Sequence, residues 1–412
     1  MAKNTKPAIR FKGFTDAWEQ RKLVNDLKSI QTGTNKLGST ENTGMPLLKM
    51  GNIQRGYFSL DKLEYLDEND VVEPENIAYK GDFFFNTRNT LDLVGKGATW
   101  TGDSGKYAFN SNIARFNLGE LDTIFFNYLY NTGSMQKQVH ARAMGTTSVA
   151  AIYPRTLDSI TYCIPCKEEQ LKIGYCLKNI DDLITLHQRK YDSLVNVKKA
   201  MLEKMFPKNG ETVPEIRFKG FTDAWEQRKL GEICEKITMK NTNMDVTETF
   251  TNSAEFGIIS QRDFFDHDIA KQDKIDGYYI VHPEDFVYNP RISVTAPVGP
   301  INRNKLGRCG VMSPLYSVFR PNGMDNTFLE QFFKSSYWHS FMRLNGDSGA
   351  RSDRFSIKDS VFFDMPIPCP NLQEQESVGR FLYSIDNLIT LHQRKLEKLK
   401  NIKKSCLEKM FV

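Results

Sequence analysis

Short loops of the sequence concentrate side chains that can bind nucleic acid. Arg and Lys neutralise phosphates, whereas Arg, Asn, Gln, Ser and Thr hydrogen-bond to base edges. The candidates in the first half are Lys49, Asn52, Gln54, Arg55, Thr87, Arg88, Asn89, Arg142, Thr146 and Ser148. The candidates in the second half are Gln261, Arg262, Asn289, Arg291, Ser293, Arg303, Lys305, Arg308, Arg351, Ser352 and Arg354. We favour Arg88, Arg291 and Arg351, because each has hydrogen-bonding neighbours on a short turn.

Motifs that would indicate catalysis or a bound cofactor are missing from the sequence. Gly102-Asp-Ser-Gly105 and Gly346-Asp-Ser-Gly349 spell the serine loop of trypsin-like proteases, but no recognisable His/Asp set accompanies them. Cys163-Ile-Pro-Cys166 has no second pair at zinc spacing, and Asn289-Pro-Arg-Ile292 lacks the aromatic residue of an adenine methyltransferase tetrad. No dinucleotide or Walker phosphate loop is present. We therefore predict no catalytic, cofactor-binding or metal-binding residues in this chain.

The elements that must position the candidate loops are revealed by an internal duplication. Residues Ile9 to Leu23 recur without a change at Ile216 to Leu230. Residues 180–206 recur at 385–411 with 19 of 27 positions identical. Between these repeated blocks the two halves hardly resemble each other. A repeated frame around divergent regions predicts one architecture that carries two different binding surfaces.

The repeated block near the end of each half predicts a long helix, over 171–206 and over the corresponding residues to 412. Apolar residues recur at alternating steps of four and three, which is the heptad pattern of a coiled coil. The seam residues of the first copy are Leu177, Ile180, Ile184, His187, Tyr191, Leu194, Lys198, Met201 and Met205. Those of the second copy are Leu382, Ile385, Ile389, His392, Leu396, Leu399, Lys403, Cys406 and Met410. We expect the two helices to pack against each other and both histidines to be packed residues rather than metal ligands.

The divergent regions have the patterns of mixed α/β domains. Short strands are predicted at 81–85, 112–116, 277–281 and 315–320, because apolar runs there are bounded by Gly, Asn, Asp and Pro. Short helices are predicted at 125–130 and 328–333. The order of the strands cannot be derived from these patterns.

Composition and charge are those of a mildly basic globular protein. The 412 residues include 40% hydrophobic and 25% charged side chains, with a formal net charge of +5. This length predicts at least two domains, and this charge is compatible with binding nucleic acid. Seven scattered cysteines favour reduced thiols over a disulfide framework. We find neither a signal peptide nor a membrane-spanning stretch, and therefore expect a cytoplasmic protein.

The order of these motifs resembles the specificity subunits of type I restriction–modification systems. Arg-Phe-x-Gly-Phe-x-x-x-Trp-x-x-x-x-Leu opens each half. Leu47 to Gly56 is similar to the early strand and Asn-Ile-x-x-Gly turn of a target recognition domain, and Gly81-Asp-Phe-Phe-Phe85 to its Gly-Asp-hydrophobic strand. Ile-Pro, then Glu-Glu-Gln or Gln-Glu-Gln, precedes each long helix. The second half departs from the pattern, because Phe256 to Arg262 replaces the Asn-Ile-x-x-Gly turn.

The resemblance implies an α+β fold with two mixed α/β target recognition domains. They would be separated by two long helices packed as an intramolecular antiparallel coiled coil with pseudo-twofold symmetry. The expected segments are 1–23, a conserved segment; 24–165, the first target recognition domain; 166–208, the central helix; 209–230, a linker with the second conserved segment; 231–370, the second target recognition domain; and 371–412, the C-terminal helix.

The resemblance also implies a function and a set of partners. The chain would recognise a bipartite, asymmetric target in double-stranded DNA. It would bind two methylation subunits and, through them, restriction subunits. S-adenosylmethionine, ATP and Mg²⁺ would be bound by those partners, and none by this chain.

Two other functions are compatible with parts of the sequence. A self-contained methyltransferase–nuclease would need cofactor and carboxylate motifs, which are missing. A coiled-coil interaction protein that forms homodimers is suggested by the near-identical helices. Methylation by the purified chain would indicate the first alternative, and sedimentation as a dimer would indicate the second.

Overall fold

The computed structural model describes residues 5–42, 44–145, 149–208, 210–265, 275–347 and 353–412. The chain divides into two compact units. The first unit consists of Met1–Gln188 together with Arg394–Val412, and the second consists of Arg189–Gln393. The first unit is therefore built from two separate stretches of sequence, whereas the second is continuous.

Two long helices, each of 38 residues, are the largest elements. The first long helix is Lys167–Lys204 and the second long helix is Leu372–Lys409. Every predicted seam residue is buried or half-buried, which confirms the heptad pattern. The first helix begins four residues before the predicted start. Glu168 and Glu169 occupy its first turn, where acidic side chains favour a helix N-terminus.

The first unit pairs the beginning of the first long helix with the end of the second. Lys403 Nζ lies 2.6 Å from Asp181 Oδ1. Earlier along the first helix, Ile173 shares a hydrophobic core with Phe411, which follows the second helix. Residue numbers therefore fall along one helix as they rise along the other, so this pairing is antiparallel.

The second unit repeats this pairing with the roles of the two helices exchanged. Lys198 Nζ lies 2.7 Å from Asp386 Oδ1. Met205 shares a core with Val378 near the start of the second long helix, so this pairing is also antiparallel. Lys198 is more buried than Lys403, and burial lowers the pKa of Lys198 to about 8, although its ion pair with Asp386 opposes the shift.

The sheets of the first unit are short and mostly antiparallel. One four-stranded sheet has the order Ser29–Thr32, Ile113–Asn117, Phe83–Asn86, Gly97–Thr99. A second has the order Glu64–Tyr65, Pro46–Leu48, Tyr107–Phe109, Ile77–Ala78. A three-stranded sheet has the order Met144–Gly145, Ala150–Ala151, Arg88–Asn89, and Glu19–Lys22 pairs with Thr161–Ile164. The helices before the long one are Leu23–Asp26, Thr123–Tyr130 and Gly133–His140.

The second unit has a corresponding main sheet, and fewer strands surround it in the part of the chain that the structure describes. Its four-stranded sheet has the order Cys234–Ile237, Ser317–Pro321, Phe286–Tyr288, Ile301–Arg303. Strand pairs join Glu226–Lys229 to Pro366–Cys369, Phe250–Ser253 to Gly257–Ser260, and Tyr279–Val281 to Gly310–Met312. The shorter helices are Leu230–Ile233, Gln261–Phe265, Asn326–Lys334, Tyr337–Asn345 and Asp359–Phe363.

The unchanged 15-residue block packs against the end of a long helix in each unit. In the first unit, the Trp18 and Phe411 rings pack edge to face with centroids 6.3 Å apart. In the second unit, Trp225 and Phe206 pack in the same way at 6.3 Å. Edge-to-face aromatic pairs of this kind contribute about 0.5–1.5 kcal/mol beyond their buried area. The repeated block therefore has a structural role in both units.

Candidate nucleic-acid interface

An exposed arginine follows a buried asparagine at one edge of the first unit. Strand Phe83–Asn86 ends at Asn86, which is fully buried, and Asn86 Oδ1 accepts a hydrogen bond from the Arg88 backbone N–H at 3.2 Å. This bond turns the chain, so that Arg88 and Asn89 form a short strand beside Ala150–Ala151. The Arg88 side chain is exposed, and no ion pair to it is found among the residues that the structure describes.

The second unit contains the same turn with different neighbours. Asn289 Oδ1 accepts a hydrogen bond from the Arg291 backbone N–H at 2.9 Å. Arg291 forms a β-bridge with Arg354, just as Arg88 pairs with Ala151. The Arg291 side chain is 71% exposed, and its Nη2 lies 3.9 Å from Asp353 Oδ2.

Backbone hydrogen bonds show that the two turns occupy corresponding places. Ile152 N–H donates to the Thr87 carbonyl at 3.0 Å, and Phe355 N–H donates to the Pro290 carbonyl at 2.7 Å. Arg88 therefore lies beside strand Ala150–Ala151, and Arg291 lies beside the bridge residue Arg354, in each case from a later part of the same unit. We call the surface around Arg88 and Asn89 the first edge, and the surface around Arg291, Ser293 and Arg354 the second edge.

An aspartate supports the strand behind each edge: Asp82 is half-buried and Asp285 is fully buried. Asp82 accepts from the Tyr79 backbone N–H at 2.9 Å and forms an ion pair with Arg115 at 3.1 Å. Asp285 accepts from the His282 backbone N–H at 2.8 Å and pairs with Arg320 at 2.7 Å. The sequence pattern indicated this support only in the first half, because Glu284 replaces the glycine before the aspartate in the second half.

Several candidate residues are engaged inside their own unit, which limits their contact with a ligand. Asn52 is buried and its amide bonds the Ser59 and Lys62 carbonyls, so it shapes its turn. The Thr87 hydroxyl bonds the Asn112 carbonyl. Asn289 is buried as well, and Arg142 bonds the Thr156 carbonyl and the Ser159 hydroxyl.

Ion pairs occupy four further candidates. Lys49 pairs with Glu64 at 2.7 Å, and Arg308 holds Glu248 through two nitrogens at 2.7 and 2.8 Å. Arg303 and Lys305 share Glu330 at 2.6 and 2.7 Å, and the Arg303 side chain is only 9% exposed. The Arg303 guanidinium is thus largely occupied within its own unit, and its contact with DNA stays a prediction.

The remaining candidates stay accessible or are not described. Arg262 is exposed on helix Gln261–Phe265, and the Gln261 amide bonds the Phe250 carbonyl at 3.2 Å. Asn89 Oδ1 accepts from the Thr90 backbone, and Ser293 Oγ accepts from the Ala296 backbone. Thr146, Ser148, Arg351 and Ser352 lie outside the described residues.

A cationic cluster beside the first edge contains a residue that sequence reasoning missed. Lys96 Nζ donates to Gln54 Oε1 at 2.7 Å, and Arg55 donates to Gln136. Burial, followed by repulsion from Arg55, lowers the pKa of Lys96. Within the described ranges no carboxylate pairs with Lys96 or Arg55. The Lys96 carbonyl accepts from the Asn86 backbone N–H, which places the cluster next to the Arg88 turn.

Among the described residues of the second unit we find no equivalent of this cluster. Pro300 takes the place of Lys96, since its carbonyl accepts from the Asn289 backbone N–H at 3.0 Å. The two edges therefore share the Asn-x-Arg turn and differ around it. The signal for Lys96 in the sequence was weak, because a single lysine between two glycines resembles an ordinary surface turn.

Other kinds of site find little support in the described part of the chain. Ser104, in the first Gly-Asp-Ser-Gly stretch, accepts a hydrogen bond from the Lys80 backbone at 2.9 Å and so belongs to a turn. No group of three or more His, Cys, Asp or Glu side chains is arranged to hold a metal ion within the described ranges. No helix among the described residues is long and apolar enough to span a membrane.

The sequence is similar to known specificity subunits over most of its length. It is 25% identical over 411 residues to the putative type I restriction enzyme MjaX specificity subunit of Methanocaldococcus jannaschii, covering 95% of this chain and 92% of that protein. It is 23% identical over 309 residues to the MjaVIII specificity subunit of the same organism, covering 68% of each chain.

The fold agrees with a solved structure, and a family model covers both halves. The crystal structure of the type I restriction–modification S subunit from M. genitalium aligns over 99% of each chain with a TM-score of 0.55 at 14% identity. This likeness confirms the predicted α+β class with two mixed domains and long paired helices. The model of the type I restriction modification DNA specificity domain matches residues 16–196 and 222–401. The chain therefore belongs to the family of type I restriction–modification DNA specificity subunits, whose members supply DNA specificity rather than catalysis.

Proposed function

We propose that the chain recognises a bipartite, asymmetric DNA target, one part with the first edge and the other with the second. The paired long helices set the spacing between the two parts. Two methylation subunits dock on the chain, and restriction subunits join through them. The partners bind S-adenosylmethionine, ATP and Mg²⁺, this chain binds none of them, and the complex works in the cytoplasm.

One observation carries this proposal. Each unit presents an exposed arginine, Arg88 or Arg291, on the same asparagine-anchored turn, paired with a residue from later in its sequence. An arginine guanidinium can donate two hydrogen bonds to one guanine, which is the commonest specific contact in the major groove. The residues around the two turns differ, so the two units are suited to different half-sites.

Exchange of the divergent regions tests whether each unit recognises one half of the target. Replacing residues 24–165 with the corresponding region of another family member is expected to change only one half of the methylated sequence. Replacing residues 231–370 is expected to change only the other half. Methylome sequencing of cells that carry each hybrid with its methylation subunits measures the result. If a single exchange altered both halves, the assignment of one half-site to each unit would be refuted.

Replacement of Lys96 by methionine tests the cationic cluster as a phosphate contact. We expect weaker binding that is similar for cognate and non-cognate DNA, since phosphates carry no sequence information. The slope of log affinity against log salt concentration should fall by about one, as expected for one lost phosphate contact. Fluorescence anisotropy of the assembled complex over a salt series measures both quantities.

The control for this experiment is Lys106→Met. Lys106 is exposed in the same unit, where it already pairs with Asp103 at 3.1 Å. Its removal should leave the salt slope unchanged. Loss of affinity for the cognate sequence alone in Lys96→Met would instead assign Lys96 to base recognition.

A further inference from the structure

An open groove lies beside the paired long helices in the first unit. Its volume is about 690 Å³. Ile184, Leu407, Phe411 and Val412 give the groove an apolar floor, and Ser134 lines it as well. Ser134 is in the first turn of helix Gly133–His140.

The second unit fills the corresponding place with its own side chain. Tyr337, in the first turn of helix Tyr337–Asn345, is half-buried against the core that contains Met205 and Phe206. Its hydroxyl donates a hydrogen bond to the Glu203 carbonyl at the end of the first long helix. The counterpart of Glu203 in the repeat is Glu408, which lines the open groove of the first unit.

The correspondence between Ser134 and Tyr337 rests on the residues before them. The Thr132 hydroxyl donates to the Leu129 carbonyl at 2.7 Å, and the Ser335 hydroxyl donates to the Phe332 carbonyl at 2.6 Å. Ser134 and Tyr337 each follow two residues later. An aromatic ring therefore occupies this position in the second unit, whereas a serine occupies it in the first unit and leaves the groove open.

A second difference between the units is an ion pair to the second long helix. In the second unit, Lys334 Nζ bonds Asp386 Oδ2 at 3.0 Å. Its counterpart in the first unit is Asn131, whose amide bonds the Gly97 and Asn127 carbonyls instead. Asp181, which corresponds to Asp386, is left with Tyr128 and Lys403.

The charge around the groove indicates the chemistry of an occupant. The stretch 394–412 carries seven basic and two acidic side chains. Lys400 and Lys404 line the groove and are exposed, and among the described residues neither has a carboxylate partner. Basic residues around an apolar floor favour an acidic protein segment over DNA, because a phosphate backbone has no apolar group to fill the floor.

We propose that this groove receives a bulky apolar side chain from an acidic segment of one methylation subunit. In the first unit, the apolar side chain of this segment fills the place that the Tyr337 ring fills in the second unit. The two units would therefore present unequal docking sites to their partners. This inference rests on the proposed role of the chain as a scaffold for methylation subunits.

Closing the groove from within tests the proposal. Ser134→Tyr introduces the side chain that the second unit carries, and Ser134→Ala is the matched control. Binding of the purified methylation subunit encoded with this chain is measured on the full chain by isothermal titration calorimetry. We expect Ser134→Tyr to weaken one of the two binding steps at least tenfold and Ser134→Ala to change neither by more than about twofold. Thermal unfolding of each variant establishes that the chain is intact.

The results separate three outcomes. Wild-type affinity in Ser134→Tyr at both steps overturns the proposed groove but leaves the scaffold function standing. No binding of the methylation subunit to the wild-type chain refutes the scaffold function, and the groove proposal with it. If Ser134→Tyr instead weakens DNA binding by the full chain with both partner steps intact, the groove is a DNA contact and the proposal is wrong.

Discussion

Replacement of Arg217 by methionine is expected to lower the free energy of unfolding by about 3–5 kcal/mol, because it leaves a buried carboxylate without its partner. Arg217 Nε and Nη2 lie 2.6 and 2.8 Å from the two oxygens of Glu374. The two side chains are only 11% and 1% exposed, and the hydrogen bond to Glu374 raises the pKa of Arg217. Urea denaturation of the full chain, followed by circular dichroism, measures the loss.

Two further variants show whether the buried charge is the cause. Arg217→Met with Glu374→Met removes both charges and should recover much of the stability, since apolar replacements of buried pairs are often tolerated. Lys172→Met breaks the exposed pair with Glu168 and should cost less than about 1 kcal/mol. Equal losses in Arg217→Met and Lys172→Met would contradict the prediction.

Replacement of Arg291 by alanine is expected to weaken cognate DNA binding by about 1–3 kcal/mol and to relax the sequence requirement in one half-site only. Arg88→Ala should have the same effect on the other half-site. The reason is that each exposed guanidinium follows a rigid asparagine-anchored turn in its own unit. Anisotropy measurements with oligonucleotides substituted in either half-site separate the two effects.

Arg380→Ala is the matched control for both arginine variants. Arg380 lies on the second long helix, is 75% exposed and pairs with Glu376 one turn earlier. Its removal should leave affinity and sequence preference unchanged. Relaxation of both half-sites by Arg291→Ala, or of neither, would contradict the assignment of Arg291 to one edge.

The sequence was sufficient to predict the elements that depend on local patterns. The long helices are encoded by uninterrupted heptads, and the strand ending at Asn86 by a run of phenylalanines between Gly81-Asp82 and a polar turn. The two short helices at Thr123–Tyr130 and Asn326–Lys334 were also predicted to within a few residues. In each case the neighbouring residues alone set the pattern.

Whether an individual arginine forms an ion pair depends on residues far away in the sequence, and this could not be predicted. Arg308 is held by Glu248, which lies 60 positions earlier in the chain. Arg303 is held by Glu330, in a helix that the sequence predicts without indicating what it faces. A basic residue in a loop therefore looks the same in sequence whether it is free or paired.

The relation between the two edges was hidden for a similar reason. Asp82 to Arg88 and Asp285 to Arg291 share the short pattern Asp-Phe-x-x-Asn-x-Arg, but the residues on either side of it differ, so the divergent regions looked unrelated. The two turns also share a side-chain oxygen that accepts a backbone N–H. That hydrogen bond becomes visible only in three dimensions.

The discontinuous make-up of the first unit has a consequence for the order of folding during synthesis. The second unit, Arg189–Gln393, is continuous and can form as soon as its residues have left the ribosome. The first unit must wait for Arg394–Val412, which bring Phe411 to Trp18 and the Lys409 carbonyl to the Ile9 backbone N–H. Domains usually form in the order of their translation. Here the half that is translated first is completed after the second unit, so its apolar surface around Trp18 and Phe125 stays uncovered until residues 394–412 have been synthesised.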